Sequence, residues 1–277
     1  MKGEVKKIIN SVKLLLKWYF QLFLNKITIY KCSIPKTNFS NIENIKKSDT
    51  IFIFGSGYSI NDISKNEFKK ICEHNTLSFN WFHNKEIIPI DYYIVREIVD
   101  DFNLNSKYSI SRINKYFSNL KKNNLINSFL FVNINTDTFP YIIKNKFLKK
   151  RKFKLYENQF RPPYLTPKIK NNNKIFHGGA TLNDAIHLAY QLNFKNIILV
   201  GVDLYDRRYF WLNENEIRKD TDLIRGAKYS DIHNTTNIII KTIKEIKKQL
   251  KKEKVNLYVY NEKSLLNKIL PVYNYKK

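Results

Sequence analysis

Cysteine is almost absent from this chain of 277 residues: Cys32 and Cys72 are the only two. They belong to no CxxC pair and no Cys/His set, which excludes a disulfide scaffold and a zinc site and fits a reducing cytoplasm. Internal repeats are also missing, and low complexity is confined to short Lys/Asn runs such as Lys170 to Lys174, which read as loops. Acidic residues are scarce, 24 Asp and Glu against 49 Lys and Arg, for a formal net charge of +25. That balance points to anionic partners such as nucleotides, acidic glycans, an anionic membrane face or nucleic acid. Because Asn, Ile and Lys are abundant throughout, charge alone names no partner. Nucleic acid is the weaker option: there is no RNP pattern, zinc finger or helix-turn-helix, and the basic residues are spread along the whole chain. What is present is apolar bulk, 43% of residues with 14% aromatic, enough to bury a substantial core.

The N-terminal segment differs in character from the rest. At 100° per residue, Val5, Ile8, Ile9, Val12, Leu15, Leu16, Tyr19, Leu22 and Phe23 fall on one half of a helix, while Lys2, Lys6, Lys13 and Lys17 fall on the other. Lys13 and Lys17 interrupt the apolar run, which falls short of the roughly 20 residues that span a bilayer, and no small-residue cleavage site follows. Residues 1–30 are therefore expected to form an amphipathic helix lying on an anionic membrane surface, with packing against the domain as the competing reading.

From residue 48 strands and helices alternate. Ile51 to Phe54 reads as a buried strand, residues 60–72 as a helix, Thr76 to Phe79 as a strand leading to Asn80, and Tyr92 to Val95 as a strand ending at Arg96. Residues 100–173 look less regular, with one strand at Phe129 to Val132, and are expected to form an elaboration or lid. Order returns with Gly178-Gly179, a helix carrying Leu182, Ala185, Ile186, Ala189 and Leu192 on one stripe, and a strand from Ile197 to Val200 that ends in Gly201-Val202-Asp203. A long amphipathic helix follows Ser230-Asp231-Ile232-His233, and the last strand covers Val255 to Tyr260. The fold expected over 48–277 is α/β, a Rossmann-like, mostly parallel sheet flanked by helices, with its ligand at the carboxyl ends of the strands.

The Gly55-Ser56-Gly57 turn after the first strand lacks the third glycine of the dinucleotide fingerprint and the Gly-Lys-Ser/Thr of a P-loop. Even so, a glycine turn between a buried strand and a helix start offers backbone N–H groups and a positive dipole end, an arrangement suited to a phosphate.

An ordered set of motifs is similar to the bacterial lipooligosaccharide sialyltransferases, glycosyltransferase family 42. It comprises Gly55-Ser56-Gly57-Tyr58-Ser59, Asn80, Gly201-Val202-Asp203-Leu204-Tyr205, Tyr209, His233-Asn234-Thr235, and Asn256-Leu257-Tyr258 with Ser264-Leu265-Leu266. The resemblance covers residues 50–96 and 174–266. It implies a GT-A-like variant of the Rossmann fold and transfer of an acidic nine-carbon sugar from a CMP-activated donor to a hydroxyl of a glycan or glycolipid, with inversion and without a metal or other cofactor. By the same resemblance Gly55, Ser56, Gly57 and Asn80 hold the nucleotide, Tyr205 and Tyr209 hydrogen-bond the departing phosphate, and His233 is the general base; Arg96 and Asp203 are expected in the substrate site from their place at strand ends. The enzyme it implies sits peripherally on the inner face of the cytoplasmic membrane, and a homo-oligomer is compatible with it.

The chain departs from that pattern. Ser56 stands where the family has Asn. Where the family has a donor-binding Arg the chain reads Lys174-Ile175-Phe176-His177-Gly178-Gly179, so Lys174 or His177 takes that role or it is missing. The helix after Gly179 is longer than in the sialyltransferases and resembles the wider group of flagellin-modifying nonulosonate transferases and MptE-like pterin diphosphokinases. The donor therefore stays open among sialic, pseudaminic, legionaminic and related acids. Asp220-Thr221-Asp222 keeps a metal-dependent, diphosphate-donor enzyme as the main rival.

Overall fold

A computed structural model describes residues 2–34, 42, 45–96, 107–122, 127–159, 167–169, 174–204, 208–213 and 229–274, with side chains left aside at 2–11, 13, 14, 17, 107–109, 121, 122 and 229–235. Eight strands form one sheet: β1 (Thr50–Phe54), β2 (Asn75–Phe79), β3 (Tyr92–Val95), β4 (Phe129–Asn133), β5 (Phe153–Asn158), β6 (Lys174–Ile175), β7 (Asn196–Val200) and β8 (Asn256–Val259). Their order across the sheet is β6-β5-β4-β3-β2-β1-β7-β8. Every pairing is parallel. The helices are α1 (Lys2–Lys31), α2 (Lys65–Cys72), α3 (Lys107–Lys122), α4 (Thr138–Lys144), α5 (Thr181–Gln191) and α6 (Tyr229–Lys252). This is the Rossmann-like α/β architecture expected from the alternation of strand and helix.

The sheet is covered on both faces, as parallel sheets are, because each crossover leaves a helix on one side or the other. In β1, which is buried throughout, Ile51 and Ile53 point to one core together with Ala185, Ile186, Leu188 and Ala189 of α5 and Ile243, Ile246 and Leu250 of α6. Phe52 and Phe54 point to the other, with Ile71 of α2, Ile113, Tyr116, Phe117 and Leu120 of α3, and Phe139 and Ile142 of α4. The alternation of side chains along a strand makes one five-residue element serve two cores.

Two expectations are corrected. Residues 60–72 are not one helix: a 3-10 turn (Tyr58–Asp62) comes first, and the chain is extended at Ile63 and Ser64 before α2 begins. Ile63 ends the one and Ser64 starts the other, its hydroxyl accepting from Glu67 N–H while the Glu67 carboxylate accepts from Ser64 N–H. Within 100–173, the described residues are regular, since α3, β4, α4 and β5 form part of the sheet and its flank. The signal was there in Ile113, Tyr116, Phe117 and Leu120, an i, i+3, i+4, i+7 stripe diluted by Lys, Asn and Ser.

One face of α1 packs against the domain, the competing reading made of it. Leu22 is buried, Trp18 and Ile29 pack beside it, and the Asn25 amide donates to the carbonyls of Ile134 at 2.8 Å and Thr136 at 3.1 Å. Lys26 pairs with Glu157 at 2.7 Å. This face bolts the helix to the carboxyl ends of β4 and β5. A second face, Val12, Leu16, Tyr19, Phe20 and Phe23, is left in solvent, with Leu16 64%, Phe20 62% and Phe23 61% exposed. Among the described residues no helix is long and apolar enough to cross a membrane.

Candidate functional site

Because all eight strands run the same way, the residues that follow them come to one edge of the sheet: Gly55 after β1, Asn80 after β2, Arg96 after β3, His177 after β6 and Gly201 after β7. The strand order reverses between β1 and β7, since the chain works outward from β1 to β6 and then returns along α5 to the other side of β1. A crevice opens at such a point because the two adjoining crossovers leave on opposite faces.

Both glycine turns lie at this reversal, and they are packed against each other. Gly55 N–H donates to Val200 O and Gly57 N–H to Gly201 O, each at 2.7 Å. A Cβ on Gly55 would stand 2.5 Å from Gly201 O, and one on Gly57 would stand 2.7 Å from that same oxygen and nearer still to the Asp203 carboxylate. Gly57 has φ −69°, so close approach and not backbone freedom demands glycine there. Gly201 sits at φ +62° against Ile60, and Leu204 follows at φ +64°, a left-handed position that is costly for a leucine.

The anion at the start of the 3-10 turn turns out to be the protein's own. Asp203, buried, accepts from Ser59 N–H at 3.0 Å and from Ser59 Oγ at 2.5 Å. The N–H groups of Gly55, Gly57 and Ser59 are thus all engaged within the protein. The expectation that the glycine N–H groups themselves cradle a phosphate is corrected, because the carbonyls of Val200 at the end of β7 and of Gly201 occupy them.

Asn80 adopts φ +57°, a conformation Asn tolerates better than most residues, and its carbonyl accepts from the Tyr93 hydroxyl at 2.5 Å. Behind it, His83 Nδ1 lies 2.8 Å from the same hydroxyl, and burial drives that imidazole down to about 4. The backbone that carries the Asn80 side chain to the edge is therefore held from β3.

Further along the edge a polar cluster surrounds Asp184, a carboxylate of α5 that is fully buried. Its Oδ1 lies 2.8 Å from His177 Nδ1. Its Oδ2 accepts from the Tyr156 hydroxyl at 2.7 Å and from Asn158 Nδ2 at 3.3 Å, with Arg96 Nε at 3.5 Å. Burial by itself would raise this carboxyl, but His177, Arg96 and Tyr156 outweigh burial and hold it below the usual carboxylate value. Burial beside this charge drives the Tyr156 phenol well above its ordinary value, so it stays a hydrogen donor. Asn183 Nδ2 donates to His177 O at 2.8 Å and pins the turn that Gly178 (φ +53°) and Gly179 (φ +88°) complete. Of the two candidates for the missing arginine's role, Lys174 faces outward, 3.5 Å from Glu157 and over the Trp18 ring, whereas His177 faces the Asp184 cluster.

A strap, residues 208–213, closes over the glycine turn. Tyr209 pairs with Gly57 as an antiparallel bridge, Phe210 N–H donates to Ser56 O at 3.2 Å, and Asn61 Nδ2 donates to Phe210 O at 3.1 Å. Arg208 stacks on Tyr58 and Tyr209 on Trp211. On the far side Ser264 Oγ donates to Val202 O at 2.6 Å, and Leu265 N–H to Asp203 O at 3.1 Å. The structure thus brings Gly55, Ser56, Gly57, Asp203 and Tyr209 together, and sets Asn80, Arg96 and His177 along the same edge. Tyr205, Asp220 and Asp222 lie outside the described residues, as does the side chain of His233, whose backbone belongs to the first turns of α6.

Sequence reasoning missed Asp184, Tyr156 and Asn158. The signal for Asp184 was an acidic residue in the first turn of an otherwise apolar helix, seven positions after a histidine. Among the described residues no three His, Cys, Asp or Glu side chains group as a metal site requires. No protein-family model matches the chain. No curated protein matches it either.

Proposed function

We propose that this chain is a glycosyltransferase that moves a sialic-acid-like nonulosonic sugar from a CMP-activated donor to a hydroxyl of a bacterial surface glycan or glycolipid, with inversion and without a metal. The observation that carries the reading is the meeting of Gly55-Ser56-Gly57, Asp203 and Tyr209 at the strand-order reversal, with Asn80 on the next strand. Nucleotides bind doubly wound sheets at such a point. A neutral phenol beside it, Tyr209, is suited to stabilise charge growing on a departing phosphate, and Arg96 one strand beyond Asn80 suits an acidic sugar. In the reaction the acceptor oxygen bonds to the anomeric carbon, the bond from that carbon to the CMP phosphate oxygen breaks, and the electron pair leaves on CMP. The acceptor proton goes to a histidine, a role the resemblance gives to His233. The exposed apolar face of α1, on a chain of formal net charge +25, supports a peripheral position on the anionic inner face of the cytoplasmic membrane.

The test is incubation of the purified protein with CMP-activated nonulosonic acids and a panel of glycan acceptors, following CMP release and product mass, with EDTA in a parallel series. CMP release with a matching glycan product, unchanged by EDTA, is expected. Activity only with diphosphate donors and lost in EDTA would replace this reading with a metal-dependent transferase or a diphosphokinase.

A further inference from the structure

The proposed transfer needs one group that accepts a proton, and the edge of the sheet holds an imidazole arranged for that purpose which no motif identified as a base. Its partner, Asp184, is unusual in being a fully buried carboxylate surrounded by donors. Burying a carboxylate costs several kcal/mol unless it is paired and hydrogen-bonded. Here Tyr156, Asn158 and Arg96 surround Oδ2 and leave Oδ1 to His177. The pairing works in both directions, since His177 is the largest of the influences that keep Asp184 low. The imidazole is in turn held by the carboxylate. A Nδ1–H donated to Oδ1 at 2.8 Å fixes the tautomer and turns Nε2, with its lone pair, away from the carboxylate. The His177 side chain keeps 20% of its surface exposed. It follows β6 on the carboxyl edge, in a turn fixed by Asn183 and by two positive-φ glycines.

His187, on the same helix as Asp184, shows what a structural histidine looks like in this fold. It is 1% exposed, its Nδ1 accepts from Phe176 N–H at 2.8 Å, and burial drives it to about 4. His83 is buried in the same manner, against Tyr93 and Tyr116. His177 differs from both in having a buried carboxylate on one nitrogen and access to solvent.

We propose that His177 takes the acceptor proton through Nε2, with Asp184 as the positioning residue that holds its tautomer and angle. The inference rests on the transfer reaction proposed above. The acceptor O–H bond breaks, its proton passes to Nε2, the oxygen attacks the anomeric carbon, and CMP leaves with the electron pair; the imidazolium then returns its proton to water.

The experiment compares the full-length wild type with His177→Gln, Asp184→Asn and His233→Ala in three measurements: CMP affinity by calorimetry, kcat and KM for transfer, and the histidine tautomers by 15N NMR. The chain has five histidines, few enough to assign. Expected for His177→Gln is a fall in kcat of about 10²- to 10⁴-fold with CMP affinity within about threefold of wild type. In the wild type His177 should be the Nδ1–H tautomer, and Asp184→Asn should shift it and lower kcat. His177→Gln, at a part-exposed position, keeps the test valid if Asp184→Asn does not fold. A folded His177→Gln with kcat within about threefold of wild type overturns the proposal, and a collapse of His233→Ala alone gives the role to His233. A wild type that binds CMP but transfers none of the sugars overturns the transfer reading and the base role with it. A His177 found as the Nε2–H tautomer in an active wild type overturns only the base assignment.

Discussion

At the scale of single residues, the glycine turn after β1 changes meaning once its neighbours are known. A glycine turn between strand and helix is suited to a phosphate, and the carboxylate of Asp203 sits where the sequence left room for one. Gly57 is therefore a packing position between two loops. Gly57→Ala should destabilise the fold by on the order of 1–3 kcal/mol, the usual cost of forcing an extra carbon into a tight contact. Chemical denaturation checks this, and a double-mutant cycle with Asp203→Ala should return part of the loss, because the carboxylate is the nearest of the obstructing groups. Full stability in Gly57→Ala would mean that the two loops do not meet as described. Ser59, by contrast, was quoted only as part of a motif, yet its N–H and hydroxyl both donate to Asp203.

At the scale of elements, α1 is one helix with two apolar faces. Residues 18, 22, 25 and 29 recur at helical spacing toward the protein, and 12, 16, 19, 20 and 23 recur at the same spacing toward solvent. The two faces should separate under mutation. Asn25→Ala removes donors from two carbonyls of the β4 exit and should cost about 1–3 kcal/mol in urea denaturation. The pair Phe20→Ser and Phe23→Ser should leave stability within roughly 0.5 kcal/mol, as surface changes do, while reducing co-sedimentation with phosphatidylserine vesicles through loss of apolar area. Vesicle binding unchanged in the double variant would remove the membrane role from this face. Helical periodicity alone could not separate the faces, since Leu22 and Phe23 are neighbours in sequence and both fall within a broad apolar arc.

At the scale of the whole molecule, buried imidazoles tie stability to pH. His83 and His187 each sit at about 4 because burial penalises their charged form, against an ordinary value of 6.5. Between those values the unfolded chain binds more protons than the folded one, so stability is full above about 6.5 and falls as pH drops toward 4. For each group the loss at pH 5 is about 2 kcal/mol on the linkage relation. Asp184 acts in the same direction at lower pH: its folded value lies below 3.8, so the stability it provides is present above that value and declines as the carboxylate is protonated. Urea midpoints at pH 7.5 and 5 should therefore differ clearly. Replacing His187 with Asn should flatten the difference by about half, and an identical shift in that variant would show that His187 is not buried neutral.

Local physics was enough for much of this protein. The apolar runs of β1, β2, β3, β4 and β7, the stripe on α5 and the alternation that implies a parallel sheet all depend on residues close in sequence, and so did the placing of Gly55, Asn80, Arg96 and Asp203 at strand ends. β5, β6 and α4 were not legible: Phe153–Asn158 alternates weakly with Lys and Glu, Lys174–Ile175 is too short to carry a period, and α4 has Pro140 within its seven residues. Tertiary structure alone decided the partners. Asp203 meets Ser59 across 144 positions, and Asp184 meets Tyr156 across 28, because parallel strands bring their carboxyl ends to one edge whatever their distance along the chain. A sequence states which groups are able to pair, and only the order of the strands determines which of them come within hydrogen-bonding distance.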